Sequence, residues 1–189
     1  IADNLLGAAG IAGGSSIMPV KISDQDGYLY FSYIVDGIYH AADNGADVIS
    51  MSFGADLSSN WSTDNAIQYA YNAGVTLLAA TGNENKTSIR YPANNTNVIS
   101  VGAASHCGGR KRSSSDSDEV NPGIFTDPNG YTCDGERWWG SNSGNNTQDS
   151  RFAVDIIAPT ILPTTDIQGS DGSDPGDYSG FFIGTSCAT

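Results

Sequence analysis

The sequence predicts an α/β fold built on a mainly parallel sheet with helices on both faces. Three observations carry this. Between Ile17 and Gly102, short β-rich runs alternate with segments of helical period. Gly or Asn punctuates each change of period. The run Val75-Thr76-Leu77-Leu78-Ala79-Ala80 lacks polar alternation, as a central parallel strand covered by helices on both faces should.

The elements follow in order. Ile17 to Ile22 reads as a strand, with a turn around Asp24 to Gly27. From Ser32 onward, Ile34, Ile38 and Ala41/Ala42 recur at helical spacing, and Gly45 stands where a left-handed C-terminal cap falls. Asp47 to Ser52 is a second strand. A helix from Thr63 to Ala73 places Ala66, Ile67 and Ala70 on one face and meets Gly74. The Val75–Ala80 strand ends at Thr81-Gly82-Asn83, and another strand spans Asn97 to Val101. Residues 104–150 shift to Ser, Asn, Gly and Asp, the composition of a long surface insertion. Strand character returns at Ala153–Pro159, and a Gly/Asp/Ser-rich loop, Gln168 to Gly180, leads to Phe181-Phe182-Ile183.

Composition narrows the function. The chain has 189 residues, 8 Lys+Arg against 21 Asp+Glu, and a formal net charge of -13. So acidic a surface repels phosphate backbones and anionic headgroups, which disfavours nucleic-acid and membrane-surface roles. No apolar run approaches the ~18–20 residues of a bilayer span, and Ile1 to Gly10 lacks a basic n-region. The 39% hydrophobic content suffices for a core. A nucleotide-binding module is a poor fit, because no Gly-x-Gly-x-x-Gly follows a strand and no Gly-Lys-Ser/Thr loop occurs.

Two stretches carry chemistry. Gly184-Thr185-Ser186-Cys187-Ala188-Thr189 has two readings: Ser186 is an ordinary helix N-cap, or a nucleophile in a first helical turn whose own N–H helps bind an oxyanion. Ala79-Ala80-Thr81-Gly82-Asn83-Glu84 runs from a buried strand into Gly-Asn. Asn83 is either a plain turn residue or a hydrogen-bond donor at the carboxyl end of a parallel strand, where ligands collect.

Taken together, four segments resemble the subtilisin-like serine proteases, in family order. They are Asp47 to Gly54, Ala79 to Glu84, Tyr91-Pro92-Ala93 with Val98 to Ala103, and Gly184-Thr185-Ser186. The resemblance covers nearly the whole chain except an insertion at about 105–139. It implies a three-layer subtilisin-like domain and a secreted endopeptidase that acts on proteins or peptides as a monomer, without an organic cofactor. Ser186 would be the nucleophile, with Thr185 beside it, and Asn83 the oxyanion donor. Ser52-Phe53-Gly54 and Ala80-Thr81-Gly82 resemble the backbone strips that pair with an extended substrate. Phe53 would line subsites or simply pack in the core.

The resemblance places Arg90, just before Tyr91-Pro92, at the base of the pocket for the residue preceding the scissile bond, P1. It would select an acidic P1 side chain, or be neutralised by Glu84 at the pocket rim. Asn4, within Asp3 to Gly7, resembles a ligand of a structural calcium ion.

A Ser-His-Asp mechanism needs an imidazole base and an orienting carboxylate. His40 occupies a family position that is not catalytic, and His106 begins the insertion. The resemblance places the catalytic Asp and His before Ile1, so the sequence reads as an interior part of a catalytic domain. The alternative is a non-catalytic member of the fold that binds extended peptides. Ile183 departs from the Asn of many relatives, Cys187 is expected to pack as a small hydrophobe, and Cys107 with Cys133 would bridge the insertion. Arg110-Lys111-Arg112 reads as a solvated loop. Asn60, Asn85, Asn94 and Asn145 each open a glycosylation sequon.

Overall fold

The computed structural model describes residues 10–105, 108–112, 139–145, 152–167 and 169–189, leaving out the Phe181 side chain. Its elements are α1 (Phe31–Asp43), β1 (Val48–Met51), α2 (Trp61–Asn72), β2 (Thr76–Ala80), β3 (Ile99–Ala104), β4 (Ile156–Pro159), β5 (Leu162–Thr165), β6 (Tyr178–Phe182) and α3 (Thr185–Ala188). Strands β1 to β4 form one parallel sheet in sequence order, and β5 pairs with β6 antiparallel.

Register explains the layering. Ala80 pairs with Val101, so Leu78, Ala80, Val101 and Ala103 share one face of the sheet while Leu77 and Ala79 point to the other. Leu77 and Ala79 bury themselves with Ile34 and Ile38 of α1 and with Ala66, Ile67 and Ala70 of α2. Across the sheet, Ala103 packs with Trp139 and Ile161, and Ala188 of α3 closes that cluster. Helices therefore cover both faces, as predicted. Fully burying a side chain such as Ile67 contributes about 1.5–3 kcal/mol.

The glycines expected to end α1 and α2 do so in the left-handed region, Gly45 at φ 79° and Gly74 at φ 88°. At the start of α2, the Asn60 side chain accepts from the Thr63 N–H at 3.1 Å and so serves as its N-cap. Asn94, another sequon residue, is buried and bonded to the Leu57 carbonyl, which removes it as a glycan acceptor.

Several expectations are corrected. Among the described residues Ile17 to Ile22 pairs with no strand and forms none, and a hollow of about 1130 Å³ is lined by this segment and by β1. The segment is instead held by Ile22 and Val20, whose side chains crowd the Gly37 position on α1. The Gly/Asp/Ser-rich loop expected over Gln168 to Gly180 ends earlier, because Tyr178 to Gly180 belong to β6, which pairs with β5.

The ends of the insertion are interior, not solvated. Trp139, Ser141 and Asn142 are buried, and Lys111 is fully buried. Lys111 Nζ donates to the carbonyls of Arg112 at 2.6 Å and Trp139 at 3.1 Å and lies 5.1 Å from the Trp139 ring centroid. These partners offset the cost of taking an ammonium out of water. Among the described residues no helix is long and apolar enough to cross a membrane.

Candidate active site

The carboxyl ends of β1 and β2 point toward the same place, where α3 begins. Ser52 follows β1, Gly82 and Asn83 follow β2, and Ser186 is the second residue of α3. Gly184 precedes the helix at φ 92°, a conformation open to glycine without strain.

Thr185 ties the two motifs together. Its backbone N–H donates to Asn83 Oδ1 at 2.8 Å, and its hydroxyl donates to the same oxygen at 2.9 Å. That hydroxyl accepts from the Gly82 N–H at 3.2 Å. An N–H can only donate, so the Asn83 amide must turn its oxygen toward Thr185 and its NH2 outward. Among the described residues Asn83 Nδ2 has no hydrogen-bond partner. Ser186, in the first helical turn, has no intrahelical acceptor for its own N–H. A Cβ on Gly184 would lie 3.1 Å from Asn83 Nδ2 and 3.6 Å from both Asn83 Oδ1 and the Ser186 nitrogen, so the Asn83 amide and the start of α3 are close neighbours.

The hydroxyl itself is parked. Ser186 Oγ donates to the Ser52 carbonyl at 3.2 Å, and Ser52 Oγ donates to the Ser186 carbonyl at 3.1 Å. His40 bonds with Asn44 on the surface of α1 and lines a different hollow from Ser186, so it takes no part in the site.

The cleft in front of Ser186 has a volume of about 200 Å³. The strip Ser52-Phe53-Gly54 forms one wall. Phe53 lines the cleft and also packs against the main core. The other strip departs from expectation. The Thr81 N–H bonds the Val101 carbonyl, and the Thr81 carbonyl accepts from Arg90 and Asn142. Gly82 gives its N–H to Thr185 and its carbonyl to Asn142. With these groups already paired, Thr81 and Gly82 cannot offer a ladder to a peptide. Ala80 and Gly82 line the cleft as wall, while Thr81 lies fully buried behind it.

Arg90 and Glu84 meet in the cleft as a two-point ion pair, at 2.7 Å and 3.0 Å. Burial alone would raise the Glu84 carboxyl. The hydrogen bonds from Arg90 and Asn142 and the Arg90 charge outweigh it and hold that carboxyl below its ordinary value. Of the two readings of Arg90, the structure shows the neutralised one. Asn142 is the residue that sequence reading missed. It is buried, donates to Glu84 at 2.8 Å and to the Thr81 carbonyl at 3.0 Å, and accepts from the Lys86 N–H at 2.9 Å. Its position in a Ser/Asn-rich stretch gave no signal.

The subtilase family profile matches residues 1–189, the whole chain. The chain belongs to the subtilase family. Among curated relatives, it is 41% identical over 101 residues to the thermophilic serine proteinase of Bacillus sp. (strain AK1), covering 53% of this chain and 25% of that protein. Identity to thermitase of Thermoactinomyces vulgaris is 39% over 101 residues, 53% of this chain and 36% of thermitase. Subtilisin E of Bacillus subtilis (strain 168) is 33% identical over 129 residues, 65% of this chain and 34% of subtilisin E. The chain thus spans about a quarter to just over a third of the length of these relatives.

Among solved structures, sphericase superposes with a TM-score of 0.71 at 24% identity, over 99% of this chain and 55% of sphericase. The S41 psychrophilic protease superposes at 0.60 with 28% identity, over 87% of this chain and 47% of that one. These superpositions establish the subtilase fold.

Within that fold the remaining sequence expectations fall as follows. Cys187 is a half-buried free thiol raised above its ordinary value by burial, in keeping with a packing role. Ile183 packs against the second core cluster beside Ala188. Asn4, His106, Cys107 and Cys133 lie outside the described residues, and with them the calcium and disulfide expectations.

Proposed function

We propose that this protein is a subtilisin-like serine endopeptidase in which Ser186 attacks the scissile carbonyl and Asn83 Nδ2, with the Ser186 N–H, holds the oxyanion. The observation that carries this is the pair of hydrogen bonds that Thr185 donates to Asn83 Oδ1, which occupies the amide oxygen and leaves the amide NH2 to donate beside Ser186. Membership in a family whose named relatives are serine proteinases supports it.

In this reading a histidine upstream of Ile1 takes the Ser186 proton, oriented by an upstream aspartate, and returns it to the leaving amine. The Ser186 hydroxyl then leaves the Ser52 carbonyl for that imidazole. Residues 1–189 alone, lacking the base, give no casein turnover above the level of their Ser186→Ala form. A secreted location belongs to the same proposal and rests on kinship with the bacterial subtilisins.

Labelling of the full-length protein with a fluorophosphonate tests the assignment. The phosphonyl group is expected on the peptide carrying Ser186. Absence of labelling, or labelling of another serine, refutes it.

A further inference from the structure

Asn83 is held from two sides. In front, Thr185 fixes its amide oxygen. Behind, the chain just after Asn83 meets Gly140 in a short parallel bridge. The Gly140 N–H donates to the Asn83 carbonyl at 3.3 Å, and the Gly140 carbonyl accepts from the Asn85 N–H at 2.8 Å. These two bonds fix the backbone from which the Asn83 side chain starts.

Gly140 is itself held through its neighbours by a buried cation. Lys111 Nζ donates to the Trp139 carbonyl at 3.1 Å and to the Arg112 carbonyl at 2.6 Å, and lies over the Trp139 ring. The Lys111 backbone completes the clamp: its N–H donates to the Ala103 carbonyl of β3 at 2.7 Å, and its carbonyl accepts from the Ser141 N–H at 2.8 Å. Trp139 and Ser141, on either side of Gly140, are therefore both tied to Lys111, and Lys111 is tied to the parallel sheet. Burial alone does not favour an ammonium at this position, because an apolar side chain of similar volume avoids its desolvation and such replacements are often neutral or stabilising. What an apolar side chain cannot do is direct carbonyls, since it has no donor.

We propose that Lys111 is a positioning residue for the oxyanion amide and acts on Asn83 through Trp139 and Gly140. This rests on the endopeptidase reading. Oxyanion donors work at about 2.7–3.1 Å from the developing charge, and a misplacement of about 1 Å can cost on the order of 10²-fold in rate. Releasing the Trp139 carbonyl lets Gly140 shift, and the Asn83 backbone shifts with it. An interaction made only in the transition state is then weakened, while ground-state binding along Ser52-Phe53-Gly54 is untouched. The effect therefore falls on kcat and spares KM.

The test is a double-mutant cycle in the full-length protein, read as kcat and KM on a tetrapeptide anilide. Lys111→Met, which keeps the length and removes the donors, should lower kcat at least about tenfold with KM held within about twofold. Asn83→Ala removes the amide outright, and in that background Lys111→Met should change kcat by less than about twofold. Lys111→Gln retains an N–H donor and should fall between Lys111→Met and wild type; it takes the place of Lys111→Met in the cycle if that variant does not fold. An unchanged kcat in Lys111→Met, or the same factor lost with and without Asn83, overturns the inference and leaves the protease reading intact. A wild-type kcat in Asn83→Ala overturns the oxyanion assignment and the inference with it.

Discussion

Gly82→Ala is the substitution whose cost the structure specifies most fully, and Gly74→Ala supplies its control. Both glycines have positive φ, 103° for Gly82 and 88° for Gly74. An L residue in such a conformation costs about 1–2 kcal/mol. At Gly74 nothing lies within 4 Å of an added Cβ, so this backbone cost is the whole effect. At Gly82 the added Cβ also meets Glu84 Oε2 at 2.8 Å and presses harder still on the Asn142 amide. These are the two groups that hydrogen-bond each other at 2.8 Å. A bond to a charged group contributes about 1.5–3 kcal/mol, and the methyl cannot enter without breaking it. Gly82→Ala should therefore cost about 2.5–5 kcal/mol by addition of the two effects, against about 1–2 for Gly74→Ala. Urea denaturation of the full-length protein at neutral pH reads this as a larger fall in midpoint for Gly82→Ala at an unchanged m value. Equal midpoints for the two variants would refute the packing argument around Gly82.

Other predictions follow from the same contacts. Gly184→Ala puts a methyl 3.1 Å from Asn83 Nδ2 at a positive φ; kcat should fall, with a ceiling near the ~10²–10³ loss for deleting an oxyanion amide, a magnitude taken from subtilisin itself. Unchanged kcat would show that this amide does not act there. Because the folded Glu84 pKa is depressed, its pair contributes above the ordinary carboxylate value and is lost as pH falls through the folded one. Glu84→Gln should flatten that part of the acid-denaturation curve, by no more than about 1 kcal/mol for a partly exposed pair; an unaltered curve counts against the pairing in solution. Burial raises the Cys187 thiol, so alkylation near neutral pH should be slower in the native protein than after unfolding. Equal rates would contradict its packing role.

Legibility in the sequence followed locality. Helices α1 and α2 announced themselves through apolar spacing and through Gly45 and Gly74, whose positive φ only glycine adopts without cost. Strand β2 was visible because both faces of the sheet are covered there, so its run lacks polar alternation, and β3 through its Val and Ile residues. Ile17 to Ile22 is also β-rich, yet among the described residues it finds no partner backbone, which composition cannot supply. Ser186 and Asn83 stood out through their motifs, while the reason Asn83 can act, its lock on Thr185, lies in a contact across 102 residues. Lys111 and Asn142 were the hardest. Polar residues in a polar stretch read as solvated, and only the placement of carbonyls and amides around them makes burial favourable. Arg90 and Glu84 were recognisable as neighbours in a pocket, but which of two electrostatic roles Arg90 plays depended on Asn142 behind them.

Casein hydrolysis by the full-length protein, measured beside its Ser186→Ala form, bears most directly on the catalytic assignment. In subtilisin, loss of the nucleophile lowers kcat by about 2 × 10⁶, and the account predicts a fall of at least several thousandfold here. Turnover by Ser186→Ala within tenfold of wild type would contradict it.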